Sequence, residues 1–440
     1  MYRIMSLLRR ARSIYDDYGL WSLILSTIKF VIRSTVIIFG NKLGSLIPRK
    51  TGIILFHNKS GYQGNSKIVF EHMLEKENMS IEPYWITHSI QLYFQLLRDG
   101  RPVVYTYSPA GLYYFACAAV FCYDEQQYNR FPESVEVLRL KHEIPVKRGS
   151  FKLKNDTKSE SEDRSTERKS TGMKPDVDST EYVFDHVLYP SKFLADDSLK
   201  SSNVNILSLG FPRNDTLLDV DKKQIKAWEN YLEGYKPKRV ILYAPSRRRF
   251  TYNSEIDLFP FNDFDSKALF KFLEDHDILL LLRLHPRDEH NIQSYPTRHD
   301  FDNLQGLIES LTQNERIRYA GTETFGETTE VMPFVDILIT DYSTTYHTFL
   351  LLDRPIIFFP YDYETVYQTE GFKYNYYEKI PGPAIESFTA FQEYLLKLVN
   401  GDDPHKSKRQ NLRNSLYKHQ DAQACERVTN YIIELSLKRE

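Results

Sequence analysis

Short apolar runs alternate with helical patterns from Thr51 to the end of the chain. Gly52–Phe56, Tyr84–Thr87 and Pro102–Tyr105 predict strands, and Ser66–Glu75 predicts a helix entered through the glycine-bearing loop Ser60–Asn65. Gly111–Tyr123 is apolar throughout and reads as either helix or strand. Strand patterns return at Tyr182–Tyr189 and Val204–Leu209, and Gly210–Asp215 reads as a turn and domain crossover. A second series runs through Arg239–Tyr243, Ile278–Leu284, Ile337–Thr340 and Ile356–Phe359, and Asp421–Leu437 predicts a closing helix. Strands separated by helices are the pattern of open, mostly parallel α/β sheets. Two Rossmann-like halves are expected, residues 51–215 and 216–440, with a cleft between them and ligands at the carboxyl ends of the strands. Between the strand patterns of the first half, Lys152–Asp178 is dense in mixed charge and nearly devoid of large apolar residues. It cannot bury a core and reads as a disordered surface insertion.

Val335–Glu364 is the stretch richest in chemistry. An apolar run, Val335–Ile339, meets a turn crowded with Thr340, Asp341, Ser343, Thr344 and Thr345. A helical pattern follows, and Arg354-Pro355 ends it before the next apolar run. Free backbone N–H groups and the positive dipole end collect where such a helix begins, which suits a phosphate or pyrophosphate. Helix capping by Ser343 and Thr344 alone is an equal reading. The turn lacks the glycines of the Walker and dinucleotide fingerprints.

Composition narrows the picture. The chain has 440 residues, 41% hydrophobic, with net charge −2, which suits two or three domains and gives no global case for a nucleic-acid partner. Cys117, Cys122 and Cys425 are scattered without metal spacing, so buried thiols in a reducing compartment are expected. No cofactor is indicated, and no metal-ligand cluster stands out. The N-terminus is anomalous. Met1–Arg12 carries four arginines and no acid, and Trp21–Gly40 is strongly apolar but interrupted by Lys29 and Arg33. A spanning helix would set both charges near mid-bilayer, at about 2.5–3.5 kcal/mol each. Four residues apart, they share a helix face, which favours an amphipathic helix lying on an anionic membrane surface over a spanning or buried one. Residues 1–50 are read as that membrane-associating segment.

Polar groups recur where strands end. Arg283-Leu284-His285-Pro286-Arg287 puts a histidine between two arginines, suited to phosphate contact or acid–base work, or simply satisfied in a loop. Ser246-Arg247-Arg248-Arg249 sets three guanidinium groups on one loop, for bidentate phosphate binding or as a solvated edge. Lys141-His142-Glu143 gives the first half its own strand-end histidine, with Lys147 five residues on.

In order, these pieces resemble the CDP-glycerol glycerophosphotransferase family, the teichoic-acid primases and polymerases. The specific match is Asp336–Asp362, DILITDYSTTYHTFLLLDRPIIFFPYD. Shorter matches are Gly210–Asp215, Leu242–Arg248, Leu282–Pro286, Lys141–Lys147, Pro381-Gly382-Pro383 and Asp421–Val428, so the resemblance covers roughly Gly52 to the C-terminus. It implies a GT-B fold bound to the cytoplasmic face of the cell membrane, with the CDP-activated donor held mainly by the second half. Attack by an acceptor hydroxyl, on a glycan or lipid-linked acceptor, would then release CMP.

Carried over by position, the resemblance makes His142 the general base and has His285 hold the donor pyrophosphate, with Arg213 and Arg248 compensating its charge. Ser343 and Thr344 would meet phosphate, and Asp341 would position that turn or contact the donor. The chain departs from the family pattern at Lys141, Glu143, Arg247, Thr348 (with His347 beside it) and Glu370. CDP-ribitol or another CDP-alcohol therefore stays open as donor. So do a nucleotide-sugar glycosyltransferase and a non-catalytic binding module on the same fold. A homo-oligomer is compatible with the chain.

Overall fold

The computed structural model describes Ile24, Thr27 and residues 47–438, apart from 77–79, 126–130, 133, 142–143, 145, 147–183, 192–202, 248–256, 298, 300 and 373. Most of the expected membrane-associating segment and all of the charged insertion lie outside the described residues, as do His142 and Arg248. Among the described residues no helix is long and apolar enough to cross a membrane.

The described strands form two parallel sheets. The first contains β1 (Ile53–His57), β2 (Glu82–Thr87), β3 (Val103–Tyr105), β4 (Val120–Tyr123), β5 (Glu136–Arg139), β6 (His186–Leu188) and β7 (Asn205–Leu207), in the order β3-β2-β1-β4-β5-β6-β7. The second contains β8 (Arg239–Tyr243), β9 (Ile278–Leu282), β10 (Ile317–Tyr319), β11 (Ile337–Thr340) and β12 (Ile356–Phe358), in the order β10-β9-β8-β11-β12. Each sheet reverses its winding once, between β1 and β4 and between β8 and β11, and a doubly wound sheet opens its ligand crevice at that point. Helices that shape the site are α1 (Gly64–Glu75), α2 (Pro109–Cys117), α3 (Pro286–Glu289), α4 (Thr345–Phe349) and α5 (Ala424–Leu437).

The strands read as unbroken apolar runs because both faces are covered. Successive side chains point to opposite faces, so Ile54 and Phe56 join a core shared by both halves while Ile53 and Leu55 pack beneath the first sheet. In the same way Val240, Leu242 and Leu338 face the shared core, and Ile241, Tyr243, Ile337 and Ile339 face the opposite side of the second sheet. The ambiguous run Gly111–Tyr123 contains both elements, the end of α2 and then β4. Pro109 starts α2 after the Ser108 hydroxyl, which accepts from Gly111 N at 3.0 Å.

The closing helix follows the second sheet in sequence but packs on the first half. Gly52 N donates to Ser436 O at 3.2 Å and the Arg49 guanidinium to Leu435 O at 2.9 Å. Its start is capped from the crossover, where the Asp215 carboxylate accepts from Ala424 N at 3.0 Å and Cys425 N at 2.7 Å. Gly210 makes that approach: it has φ +86°, and a Cβ there would lie 2.8 Å from the Ala424 Cβ.

Candidate active site

At the switch point of the second sheet, the strand ends are tied together by buried polar bonds. The Thr340 hydroxyl donates to Ala244 O at 2.7 Å. The Asp341 carboxylate accepts from Ser246 N at 2.8 Å and from Tyr342 N at 2.6 Å, and Tyr376 Oη donates to Asp341 O at 3.1 Å. Asp341 is 2% exposed, so these backbone donors replace the water its charge has lost. It holds the turn after β11 against the loop after β8. Ser343 and Thr344 follow in that turn, both half-buried. Ser343 Oγ accepts from Thr345 N at 3.2 Å, whereas Thr344 occupies the N-cap of α4 without a capping bond from its side chain. Of the two hydroxyls, only Ser343 makes a local capping-type bond.

His285 caps α3 at the end of β9 and is exposed. Its Nδ1 accepts from Arg287 N at 3.2 Å, which assigns the ring proton of the neutral imidazole to Nε2. Arg283, two residues earlier, is a structural cation. It is 2% exposed and donates to the carbonyls of Ala320 at 2.6 Å, Gly321 at 3.2 Å, Phe325 at 2.9 Å and Gly326 at 3.2 Å, and to Thr328 Oγ1 at 3.1 Å. Burial lowers its pKa, and the ring of carbonyls solvates the charge. On the neighbouring loop, Arg247 Nε lies 3.7 Å from Asp288 Oδ1, linking the arginine run to α3. The Tyr295 hydroxyl also donates to Asp288 at 2.9 Å, and burial with that contact pushes its pKa up to about 12. The ends of β8, β9 and β11 thus gather Ser246, Arg247, His285, Asp341, Ser343 and Thr344.

Arg213 is already engaged. Its guanidinium pairs with Glu327 at 2.8 Å, and its backbone N–H donates to Asn65 Oδ1 at 2.8 Å. Glu327 sits in the segment that Arg283 holds through its carbonyls. In the first sheet, Asp124 after β4 accepts from Asn65 N at 3.2 Å and Ser66 N at 2.7 Å, closing the start of α1. The Asn65 amide then donates to Leu140 O at 3.3 Å and Lys141 O at 3.1 Å, directly before His142 in the sequence. Lys141 is buried, its ammonium 2.8 Å from Tyr189 Oη and 4.1 Å above that ring. Sequence reasoning missed Asn65, Asp124 and Glu327, whose partners are 58 or more positions away. Among the described residues no group of three or more His, Cys, Asp or Glu could hold a metal ion.

Comparison with known proteins places this architecture. A teichoic acid poly(ribitol-phosphate) polymerase of Bacillus spizizenii is 24% identical over 417 residues, 91% of this chain. The chain spans 59% of that polymerase's length, and 36% and 40% of two ribitol-phosphate polymerases of Staphylococcus aureus. A teichoic acid glycerol-phosphate transferase of Staphylococcus aureus is 24% identical over 94% of this chain and 100% of its own. A solved structure of the wall teichoic acid polymerase TagF has a similar fold, with a TM-score of 0.63 at 21% identity over 94% of this chain and 98% of that one. The model of the CDP-glycerol:poly(glycerophosphate) glycerophosphotransferase family matches residues 41–434, and the chain belongs to that family.

Proposed function

We propose that this protein moves glycerol phosphate, or a related alditol phosphate, from a CDP-activated donor to a hydroxyl of a glycan or lipid-linked acceptor. It would act at the cytoplasmic face of the membrane in cell-surface polymer synthesis. The observation that supports this reading is the Asp341 tie between the ends of β8 and β11, which brings hydroxyls and backbone N–H groups together at the switch point of a glycerophosphotransferase-family chain.

In the proposed step the acceptor oxygen attacks the donor's β-phosphorus. The bond to the bridging oxygen breaks, and CMP departs with the bonding electrons. His142 accepts the proton of the attacking hydroxyl, work that suits a group titrating near neutrality. His285 offers Nε2–H to a pyrophosphate oxygen, the Thr344 hydroxyl donates to the same charge, and Ser343 does so when phosphate replaces Thr345 Oγ1 as acceptor of its hydroxyl proton. Arg248 adds positive charge from the adjoining loop, and Arg213 does so when phosphate competes with Glu327 for its guanidinium. Such groups act by in-line positioning and by stabilising charge that spreads in the transition state.

A thermal-shift screen of the purified full-length chain tests the donor class, because a ligand that binds the folded state raises its melting temperature. Stabilisation by CDP-glycerol or CDP-ribitol is expected. Selective stabilisation by UDP- or GDP-sugars would instead favour a nucleotide-sugar glycosyltransferase.

A further inference from the structure

His347 lies in α4, one turn beyond the hydroxyl-rich segment, and is 2% exposed. Its Nδ1 is 3.0 Å from the carbonyl oxygen of Ile144, 203 positions away. A carbonyl only accepts, so Nδ1 carries the ring proton and Nε2 is left as an acceptor. Tyr374 Oη lies 3.3 Å from Nε2, and Tyr417 Oη donates to the His347 carbonyl at 2.8 Å. The imidazole also packs on Tyr346, with ring centroids 4.1 Å apart. Burial lowers its pKa to about 4, so the ring is neutral and its donor and acceptor keep their roles at ordinary pH.

Ile144 belongs to the first half, two residues after His142. Leu140, Ile144 and Val146 are buried in the core the two halves share. The apolar contacts hold this segment down, but only a directional bond fixes its register against α4. A phenylalanine would fill the same volume without the cost of burying two ring nitrogens. The imidazole instead aims its N–H at the other half of the molecule.

We propose that His347 is a positioning residue whose Nδ1–H bond to the Ile144 carbonyl fixes that acceptor-side residue against the donor-side helix α4. The kinetic consequence rests on the proposed transfer reaction. There the base belongs to one half and the donor to the other, and a displacement of about 1 Å costs roughly 100-fold in rate.

Three variants of the full chain test it. His347→Asn keeps an N–H near the Nδ1 position, His347→Gln moves it to the Nε2 position, and His347→Phe keeps only the ring. Hydrogen exchange read by mass spectrometry reports on segment 140–146 without requiring turnover. His347→Phe and His347→Gln are expected to speed exchange there several-fold and to lower kcat by about 10- to 100-fold, with the donor KM within about threefold of wild type. His347→Asn is expected to restore both. Wild-type exchange in His347→Phe, an Asn variant no better than Phe, or a loss confined to donor KM would each overturn the proposal. Wild-type protein that releases no CMP from any CDP-alditol would defeat the transfer reading instead, and the exchange comparison would still decide the role of His347.

Discussion

The Asp341 carboxylate accepts the Ser246 backbone N–H at 2.8 Å, joining two loops that leave neighbouring strands of one sheet. It accepts Tyr342 N as well, so the side chain works as a brace whether or not it also meets the donor. Asp341→Ala should cost on the order of 3 kcal/mol, since it removes two charge-assisted bonds from a buried turn. Urea denaturation would measure that loss, and CMP release should fall at least about 100-fold. Asp341→Asn should lie between wild type and alanine, because both N–H groups converge on one carboxylate oxygen that an amide oxygen can replace, without the negative charge.

Arg283 and His285 stand two residues apart and are predicted to fail in different ways when replaced. Arg283→Ala leaves several buried carbonyls without their donor and should destabilise the fold by roughly 3–5 kcal/mol. Arg283→Lys should recover little of this, because an ammonium cannot reproduce the guanidinium fork. Denaturation midpoints of the two variants check the point.

Much of this fold is legible in the sequence because parallel strands buried on both faces leave unbroken apolar runs such as Ile278–Leu282. β10 is not legible: it is three residues long and carries Arg318, and only pairing with β9 makes it a strand. The sequence also places His285, Asp341, Ser343 and Thr344 at strand ends, because the turn chemistry is local. It does not reveal that Arg283 turns inward, since its carbonyl partners lie 37 to 43 positions away. Nor does it reveal that Glu327 already holds Arg213, or that His347 reaches Ile144. Those relations depend on tertiary approach, which leaves no local pattern.

Acid should weaken the protein through His347. Its imidazole takes a proton near pH 6.5 when unfolded but only near pH 4 when buried. Between those values the unfolded state binds more protons, so stability is complete above pH 6.5 and is lost as pH falls toward 4. From pH 7 to pH 4.5 this group should contribute about 2–3 kcal/mol of destabilisation. Denaturation curves at the two pH values would show it, with a shallower pH dependence in His347→Phe.

Removal of residues 1–46 should release the protein from anionic vesicles while leaving donor-induced thermal stabilisation intact. The cut preserves Ile47, which packs beneath the first sheet, and the Arg49 bond to the closing helix. Continued co-sedimentation of the shortened chain with vesicles would contradict the anchoring role assigned to that segment.

The most direct measurement is CMP release from CDP-glycerol in the presence of a glycan or lipid-linked acceptor, comparing wild type with His285→Ala. His285 is exposed but its ring caps α3, so its replacement should cost about 0.5–2 kcal/mol and leave the chain folded. Wild type should form CMP in step with the new phosphodiester, and His285→Ala should lower the rate by about 100- to 1,000-fold while remaining folded. No CMP from the wild-type chain with any CDP-alditol, or undiminished release by His285→Ala, would contradict the donor site proposed at the ends of β8, β9 and β11.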